Sequence, residues 1–276
     1  MSPDCPLQPP AGVRVASVIE QRADRPALQR DDWLAEEVPV ALVFNGISQA
    51  VMMASPHDLE DFALGFGLSE GLLQTPDELH GVEVVPTPDG IEVQMSVSSA
   101  CAWRLKARRR HMAGRTGCGL CGIDSLSEVC RPSPVLPPQS VPPQALAGAL
   151  RSLRDWQPMQ QLSGATHAAA FCSLTGEILL VREDVGRHNA LDKLIGAMVR
   201  GRRTPHAGFI AITSRASHEM VHKTAMAGVA VLAAVSAPTA RAVDTALQAN
   251  MALAGFVRGQ DFVAYTHPER FGLHTP

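Results

Sequence analysis

The chain has 276 residues, 46% of them apolar and 18% charged, a globular composition that excludes wholesale disorder and a coiled coil. Its 24 Lys and Arg against 27 Asp and Glu give a formal charge of -3, so no global field favours nucleic acid or acidic lipid and any basic site has to be local. At roughly 100–200 residues per domain, the length predicts one large domain or two ordinary ones.

Met1 to Gly12 lacks a cationic segment followed by an apolar run, so it reads as a proline-rich disordered tail (1–12) and not as a secretory signal. The longest apolar stretch, Ala225 to Ala237, falls short of the ~20 residues that span a bilayer. A soluble cytoplasmic protein is expected, with its six cysteines reduced, metal-bound or reactive instead of paired.

Along the chain, Val38 to Phe44 and Ile47 to Met53 are apolar runs joined by Asn45-Gly46, a strong hairpin signal. A helix is predicted next, capped by Ser55 with Pro56 at its first position, burying Leu59, Phe62, Ala63 and Phe66 on one face. Val82 to Val85 and Ile91 to Val97 alternate in strand fashion around Thr87 to Gly90, so residues 13–131 read as a smaller α+β domain. Six of the twelve residues from Pro132 to Pro143 are proline, which marks a linker. Beyond it, in 144–276, come a helix at Ala145 to Leu153, strands His167 to Cys172 and Glu177 to Arg182, and helix His188 to Arg200. Strand Phe209 to Thr213, helix Ser217 to Ala227, strand Val229 to Val235, helix Ala240 to Leu253 and strand Phe256 to Tyr265 complete the series. That alternation predicts an α/β fold with a partly parallel sheet.

The chemistry concentrates first in Arg108 to Gly122, read as an open, mobile loop. Four glycines surround Cys118-Gly119-Leu120-Cys121, and nearby arginines favour the thiolate, the reactive form of cysteine. The second thiol could resolve a disulfide, accept sulfur from the first, or hold a metal. Gly117-x-Gly119-x-x-Gly122 matches a dinucleotide fingerprint only in letters, because it follows arginines instead of a strand. A structural zinc site would need a second ligand pair, and only Cys101, His111 and Cys130 lie near. Inert thiols belong in apolar elements, which a glycine-arginine stretch is not. Arg104, Lys106 and Arg108 to Arg110 lack the interleaved aromatics of a nucleic-acid site.

Three strand-to-helix junctions carry small or cationic residues: Glu183 to Asn189, Ser214 to Ser217 and Ser236 to Arg241. Helix N-termini offer free amides and partial positive charge, so such junctions suit phosphates; ordinary capping by Asn189, Ser217 and Thr239 explains each taken singly. Together with Arg258-Gly259 they favour a polyanionic ligand. His218-Glu219-x-x-His222 spells a zinc-peptidase motif, for which Asp244 is a weak downstream candidate for the third ligand.

Val43 to Gly46, Asp58 to Phe66, Gly117 to Gly122, Arg182 to Lys193 and Ser214 to Ser217 together resemble the FdhD family, and the similarity runs in order from about Glu37 to His267. The resemblance implies a sulfurtransferase required for formate dehydrogenase activity. It would pass sulfur from a cysteine desulfurase to the molybdenum bis(guanylyl-molybdopterin) cofactor, bound as substrate, with no intrinsic metal. It implies a homodimer and a second domain resembling the cytidine deaminase-like fold. The persulfide-carrying cysteine aligns with Cys118 and the second loop cysteine with Cys121. The cofactor-binding segment aligns with Phe256, Val257, Arg258, Gly259, Gln260 and Asp261, to which the junction reading adds Gly186, Arg187, His188, Ser214 and Arg215. His218 stands where the family pattern carries a bulky aromatic. A non-catalytic cofactor chaperone, its cysteines gripping a metal or the cofactor, is the alternative, and a metallopeptidase a more distant one. No role is assigned to Cys101 or Cys130, and Cys172, at the end of an apolar strand, is expected in the core.

Overall fold

The computed structural model describes residues 10–113 and 132–273, the side chains of 108–113 excepted. Among them are three sheets and seven α-helices. A two-stranded ribbon, β1 (Val13–Arg22) and β2 (Arg25–Ala35), comes first, an element the sequence reading did not anticipate. Burial alternates only shallowly along β1 and not along β2, and neither strand is an apolar run, so the ribbon gives a weak periodic signal.

The second sheet has the order β4-β3-β6-β5, built from β3 (Val38–Phe44), β4 (Ile47–Ala54), β5 (Leu79–Thr87) and β6 (Gly90–Val97). Asn45 and Gly46 both take positive φ, 44° and 77°, as the predicted two-residue hairpin requires. Helices α1 (Leu59–Ser69) and α2 (Ser99–Ala113) cover one face through Val40, Leu42, Phe44, Phe62, Val93, Met95, Cys101 and Leu105. Two expectations change here. Helix α1 begins at Leu59, after Asp58 in left-handed conformation (φ 51°), because Ser55 is engaged elsewhere and is not its cap. The arginine run 108–110 lies on the backbone of α2 and not in an open loop.

The third sheet has the order β12-β11-β10-β9-β7-β8, with β7 (His167–Ser173), β8 (Ile178–Asp184), β9 (Gly208–Ile212), β10 (Val231–Ala234), β11 (Ala252–Arg258) and β12 (Asp261–Thr266). Strands β9, β10 and β11 are mutually parallel, and the others antiparallel to their neighbours. Strict alternation along β7 sends Ala169 and Phe171 to one face and Ala168, Ala170 and Cys172 to the other. The first face carries α5 (Arg187–Arg200), α6 (His218–Met226) and α7 (Ala240–Gln248); the second carries α3 (Pro143–Leu153) and Phe271. The short α4 (Pro158–Ser163) precedes β7. The predicted helix to Leu253 stops at Gln248, where Asn250 turns left-handed (φ 55°), and the predicted strand from Phe256 to Tyr265 is a hairpin of two strands. Residues 132–142 lack regular structure, as proline dictates, yet Leu136 and Val141 are buried and their amides donate to Ala249 O and Arg270 O.

Layers two and three meet where α1 crosses α5. A Cβ at Gly65 would sit 1.7 Å from Asp192 O, and one at Gly196 would sit 1.9 Å from Asp61 O. Only glycine permits that approach of backbones. Among the described residues no helix is long and apolar enough to cross a membrane.

Candidate functional site at the carboxyl edge of the six-stranded sheet

Because β7 is antiparallel to both β8 and β9, strand β8 runs in the same direction as β9, β10 and β11. Four strands therefore end on one edge of the sheet. There β8 leads through Val185-Gly186 into α5, β9 through residues 213–217 into α6, and β10 through 235–239 into α7, while β11 turns at Gly259-Gln260. The edge so gathers Gly186, Arg187, His188, Ser214, Arg215 and the hairpin Phe256 to Asp261, residues drawn from distant parts of the sequence. At ~4.8 Å per strand, β8 and β11 lie about 19 Å apart, a span for an extended ligand.

The junction loops brace each other. Ala216 N donates to Ala237 O (3.2 Å), Thr239 N to Ala216 O (3.0 Å) and Phe256 N to Ser236 O (3.3 Å). Gly255 lets this bracing happen, since a Cβ there would lie 3.0 Å from Pro238 Cδ and 2.9 Å from the Tyr265 ring. Next to it Phe256 takes φ 51° at a register shift in the β11–β12 pairing and is exposed. A bulky residue in left-handed backbone is strained, and such strain concentrates at functional sites. Arg258 ends β11 opposite Asp261 instead of opening a strand, so it stands at the hairpin tip and exposed.

At the other end of the edge, Arg187 is the first residue of α5 and Ser217 the N-cap of α6. Arg187 Nε and Ser217 Oγ are both shielded from solvent with no hydrogen-bond partner. Unmet donors at two helix N-termini are of the chemical kind an anionic ligand accepts from. His167, at the start of β7 on the same edge, was not singled out from sequence. Burial first, then the Arg187 and His188 charges, push its imidazole below the usual histidine range. An alignment-free signal for it existed only in its place ahead of an apolar strand.

Most of the run from Glu183 to Lys193 has a different task. Asp184, fully buried, accepts from Ser55 N (3.0 Å), Gly186 N (2.7 Å) and Asn189 Nδ2 (3.0 Å), and pairs with Lys193 Nζ at 2.7 Å. Lys193 also donates to Ser55 O (3.0 Å), and Asn189 to Met53 O (2.8 Å). Asn189 is thus no helix cap; with Asp184 it ties the β8–α5 turn to the β4–α1 connection. Glu183 holds the start of α4 through Met159 N and Gln160 N. Asp192, also buried, accepts from Ser69 Oγ (2.6 Å) and Lys223 Nζ (2.9 Å), which in turn pairs with Glu70 (2.7 Å). Burial works against the Lys223 charge, but Asp192 and Glu70 outweigh it and hold the ammonium protonated. What remains of the run for a ligand is Gly186, Arg187 and His188.

The zinc-peptidase motif is an accident of spelling. His218 and His222 stack on one face of α6 with ring centroids 6.0 Å apart. His218 Nδ1 meets Thr245 Oγ1 at 2.7 Å, and His222 Nδ1 meets Ser133 Oγ at 2.8 Å. Glu219 Oε2 lies 2.7 Å from His188 Nε2, and hydrogen bonding to His188 holds its carboxyl down at about 2. Among the described residues no three His, Cys, Asp or Glu side chains come together as a metal would need, so Asp244 does not complete the set.

Cys118 and Cys121 lie outside the described residues, as do His111's side chain and Cys130. Cys172 is fully buried, as expected, with its thiol pushed up to about 12 by burial. Cys101 is buried too, against Leu72 O (3.4 Å). Neither is a nucleophile as it stands. An apolar cavity of about 450 Å³, lined by Leu68, Leu73, Ile195, Met198 and Met226, opens near the C-terminal ends of α1, α5 and α6, away from the strand edge.

Fold and site define a class: an α/β protein whose four coincident strand ends gather helix N-termini and cations, with a Cys-x-x-Cys segment in the chain between its layers. A model of the FdhD/NarQ family matches residues 35–272, and the chain belongs to that family. It is 56% identical over 265 residues to the sulfur carrier protein FdhD of Variovorax paradoxus (strain S110), covering 96% of this chain and 92% of the relative. It is 54% identical over 248 residues to the sulfur carrier protein FdhD of Bordetella petrii, covering 90% and 89%. A crystal structure described as a candidate formate dehydrogenase accessory protein from Desulfotalea psychrophila superposes with a TM-score of 0.75 at 21% identity, covering 94% of this chain and 98% of that one, a likeness of fold.

Proposed function

We propose that this chain is a sulfurtransferase that receives sulfur from a cysteine desulfurase on Cys118, as a persulfide, and delivers it to the molybdenum bis(guanylyl-molybdopterin) cofactor on which formate dehydrogenase depends. The observation that carries this reading is the convergence of the unmet donors Arg187 Nε and Ser217 Oγ with the Phe256 to Asp261 hairpin on one edge, in a chain whose relatives are sulfur carriers over nearly its whole length. The cargo is a polyanion with guanines at its ends. Helix N-termini at Arg187 and His218, and the forks of Arg187, Arg215 and Arg258, suit its pyrophosphates. Gly259, with open space where a Cβ would sit, leaves room for close approach, and Phe256 offers an exposed ring to a base.

The uptake step balances without an external oxidant. The Cys118 thiolate attacks the outer sulfur of the donor's persulfide, the donor S–S bond breaks, and the donor cysteine leaves as thiolate and takes up the proton. Cys121, three residues along the sequence, is the thiol that shares or releases that sulfur in this reading. The protein works in the cytoplasm as a homodimer. The chaperone alternative, in which the edge binds cargo and the thiols only grip, predicts no sulfur on Cys118. Intact mass spectrometry after incubation with a cysteine desulfurase and cysteine separates the two: gain of one sulfur atom, lost in Cys118→Ala, supports transfer, and its absence removes it.

A further inference from the structure

We propose that the outward face of α2, centred on Trp103 and Lys106, is the docking surface for the protein that donates sulfur, and that the donor meets it with an acidic patch. The inference rests on the sulfur-carrier reading and adds the place where one of its partners binds. Among the described residues, helix α2 packs inward through one side. Cys101 and Leu105 are buried in the core beneath the second sheet, and Arg104 is fastened to Glu78 at 2.6 Å, which fixes the helix's rotation. The opposite side therefore faces outward: Ser99, Ala100, Trp103 and Lys106 are exposed. Trp103 is 71% exposed, more than any other described aromatic among the large apolar residues at the surface. An indole left in water beside a cation matches the composition of interface centres, where Trp and basic residues carry much of the binding energy.

Charge supplies the second argument. Five of the seven residues from Arg104 to Arg110 are cationic, and no acidic residue occurs between Glu92 and Asp124, in a chain whose formal charge is -3. The molecule is thus polarised, and α2 is the site that steers an acidic partner. Position supplies the third. Helix α2 ends at Ala113, and five residues of chain, at most about 18 Å, separate it from Cys118. A protein-bound persulfide has to touch the accepting thiol directly, so its carrier has to dock within that reach. The cargo edge belongs to the other layer, and a donor on α2 leaves it free. A single tryptophan offers no stacking platform for successive bases, which argues for a protein over a nucleic acid.

The test uses the full chain, with transfer measured from a cysteine desulfurase plus cysteine and, in parallel, from a low-molecular-weight persulfide. Trp103→Ala and Lys106→Glu remove exposed side chains, so both variants keep the wild-type melting temperature. Each is expected to lower kcat/KM for the protein donor by roughly tenfold or more, through KM, and added salt should lower the wild-type value too. Loading from the small persulfide stays unchanged. Undiminished transfer from the desulfurase overturns the docking surface, as does equal loss with both donors or a loss confined to nucleic-acid binding. If wild-type Cys118 is loaded by neither donor, the carrier reading itself fails, a result distinct from any of these.

Discussion

Asp184 is a carboxylate with no exposure that meets four donors, two of them from the layer-crossing Ser55 and Lys193. Removing one member of a buried pair strands the other, which costs about 3–5 kcal/mol. Asp184→Ala should therefore lower unfolding stability by that amount, and Asp184→Ala with Lys193→Met should cost less than the sum of the two single changes; additivity in denaturant titrations would mean the pair is not coupled. His57 sits beside this pair. Burial first, then the Lys193 charge, push its imidazole below the ordinary value. Once the pH drops to about 6.5 the unfolded chain takes up a proton that the folded protein refuses, so stability present above that pH is lost as the pH falls toward the depressed folded value. His167 acts in the same direction. Unfolding free energy should decline below about pH 6.5, and His57→Gln should flatten the decline; an unchanged slope would show that His57 is not its source.

Among the elements, the α1–α5 crossing decides how the layers sit. Gly65→Ala and Gly196→Ala each drive a methyl into backbone carbonyl, at Asp192 and Asp61, and overpacking of this kind costs about 1–3 kcal/mol or more. Both melting temperatures should fall by several degrees, and a variant as stable as wild type would mean the helices can slide apart freely. The same crossing brings Asp61 to Arg182 (2.7 Å) and Arg200 (3.0 Å), so the helix read as one-sided from its apolar spacing is buried on a second side by charge. The β11–β12 hairpin is the other decisive element. Arg258, at its tip, should contact cargo while taking no part in sulfur uptake. Arg258→Ala is expected to weaken guanine-nucleotide affinity roughly tenfold to a hundredfold, the value of a charge-assisted hydrogen bond, with persulfide formation on Cys118 intact. Unchanged affinity in a titration would make it a solvated strand end.

At the scale of the whole molecule, a ligand that binds only the folded protein raises its stability by RT ln(1 + [L]/Kd). GDP should raise the melting temperature more than ADP does, and Arg187→Ala should reduce the shift because its guanidinium stands among the unmet donors of the edge. Absence of any nucleotide effect at millimolar concentration would remove the edge as a cargo site. Catalytic failure of Cys118→Ala without loss of stability is the matching expectation for the thiol segment, since losing a single thiol removes chemistry and little packing.

Local signals determined much by themselves. Asn45-Gly46 dictated its hairpin because only residues tolerant of positive φ close a two-residue turn, and the alternation of apolar runs with helical spacing dictated the strands and helices of the six-stranded sheet. The Cys-x-x-Cys pair is legible as residue type and spacing, while its reactivity is the expectation that Cys118→Ala tests. Ser55 shows the limit: its place before an apolar helix predicts a cap, yet its amide and hydroxyl serve the β8–α5 turn and its carbonyl accepts from Lys193 within α5, 129 or more residues away. Helix α2 escaped notice because its arginines carry no apolar period, and the β1–β2 ribbon because it buries little on either face. The run from Glu183 to Lys193 looked like one binding motif, and tertiary structure divided it into an interlayer clamp and a short remainder, Gly186 to His188, at the strand edge. No local rule could make that division. It depends on which side chains the Gly65–Gly196 contact brings within hydrogen-bond range, and on strand directions that place four distant junctions on one edge.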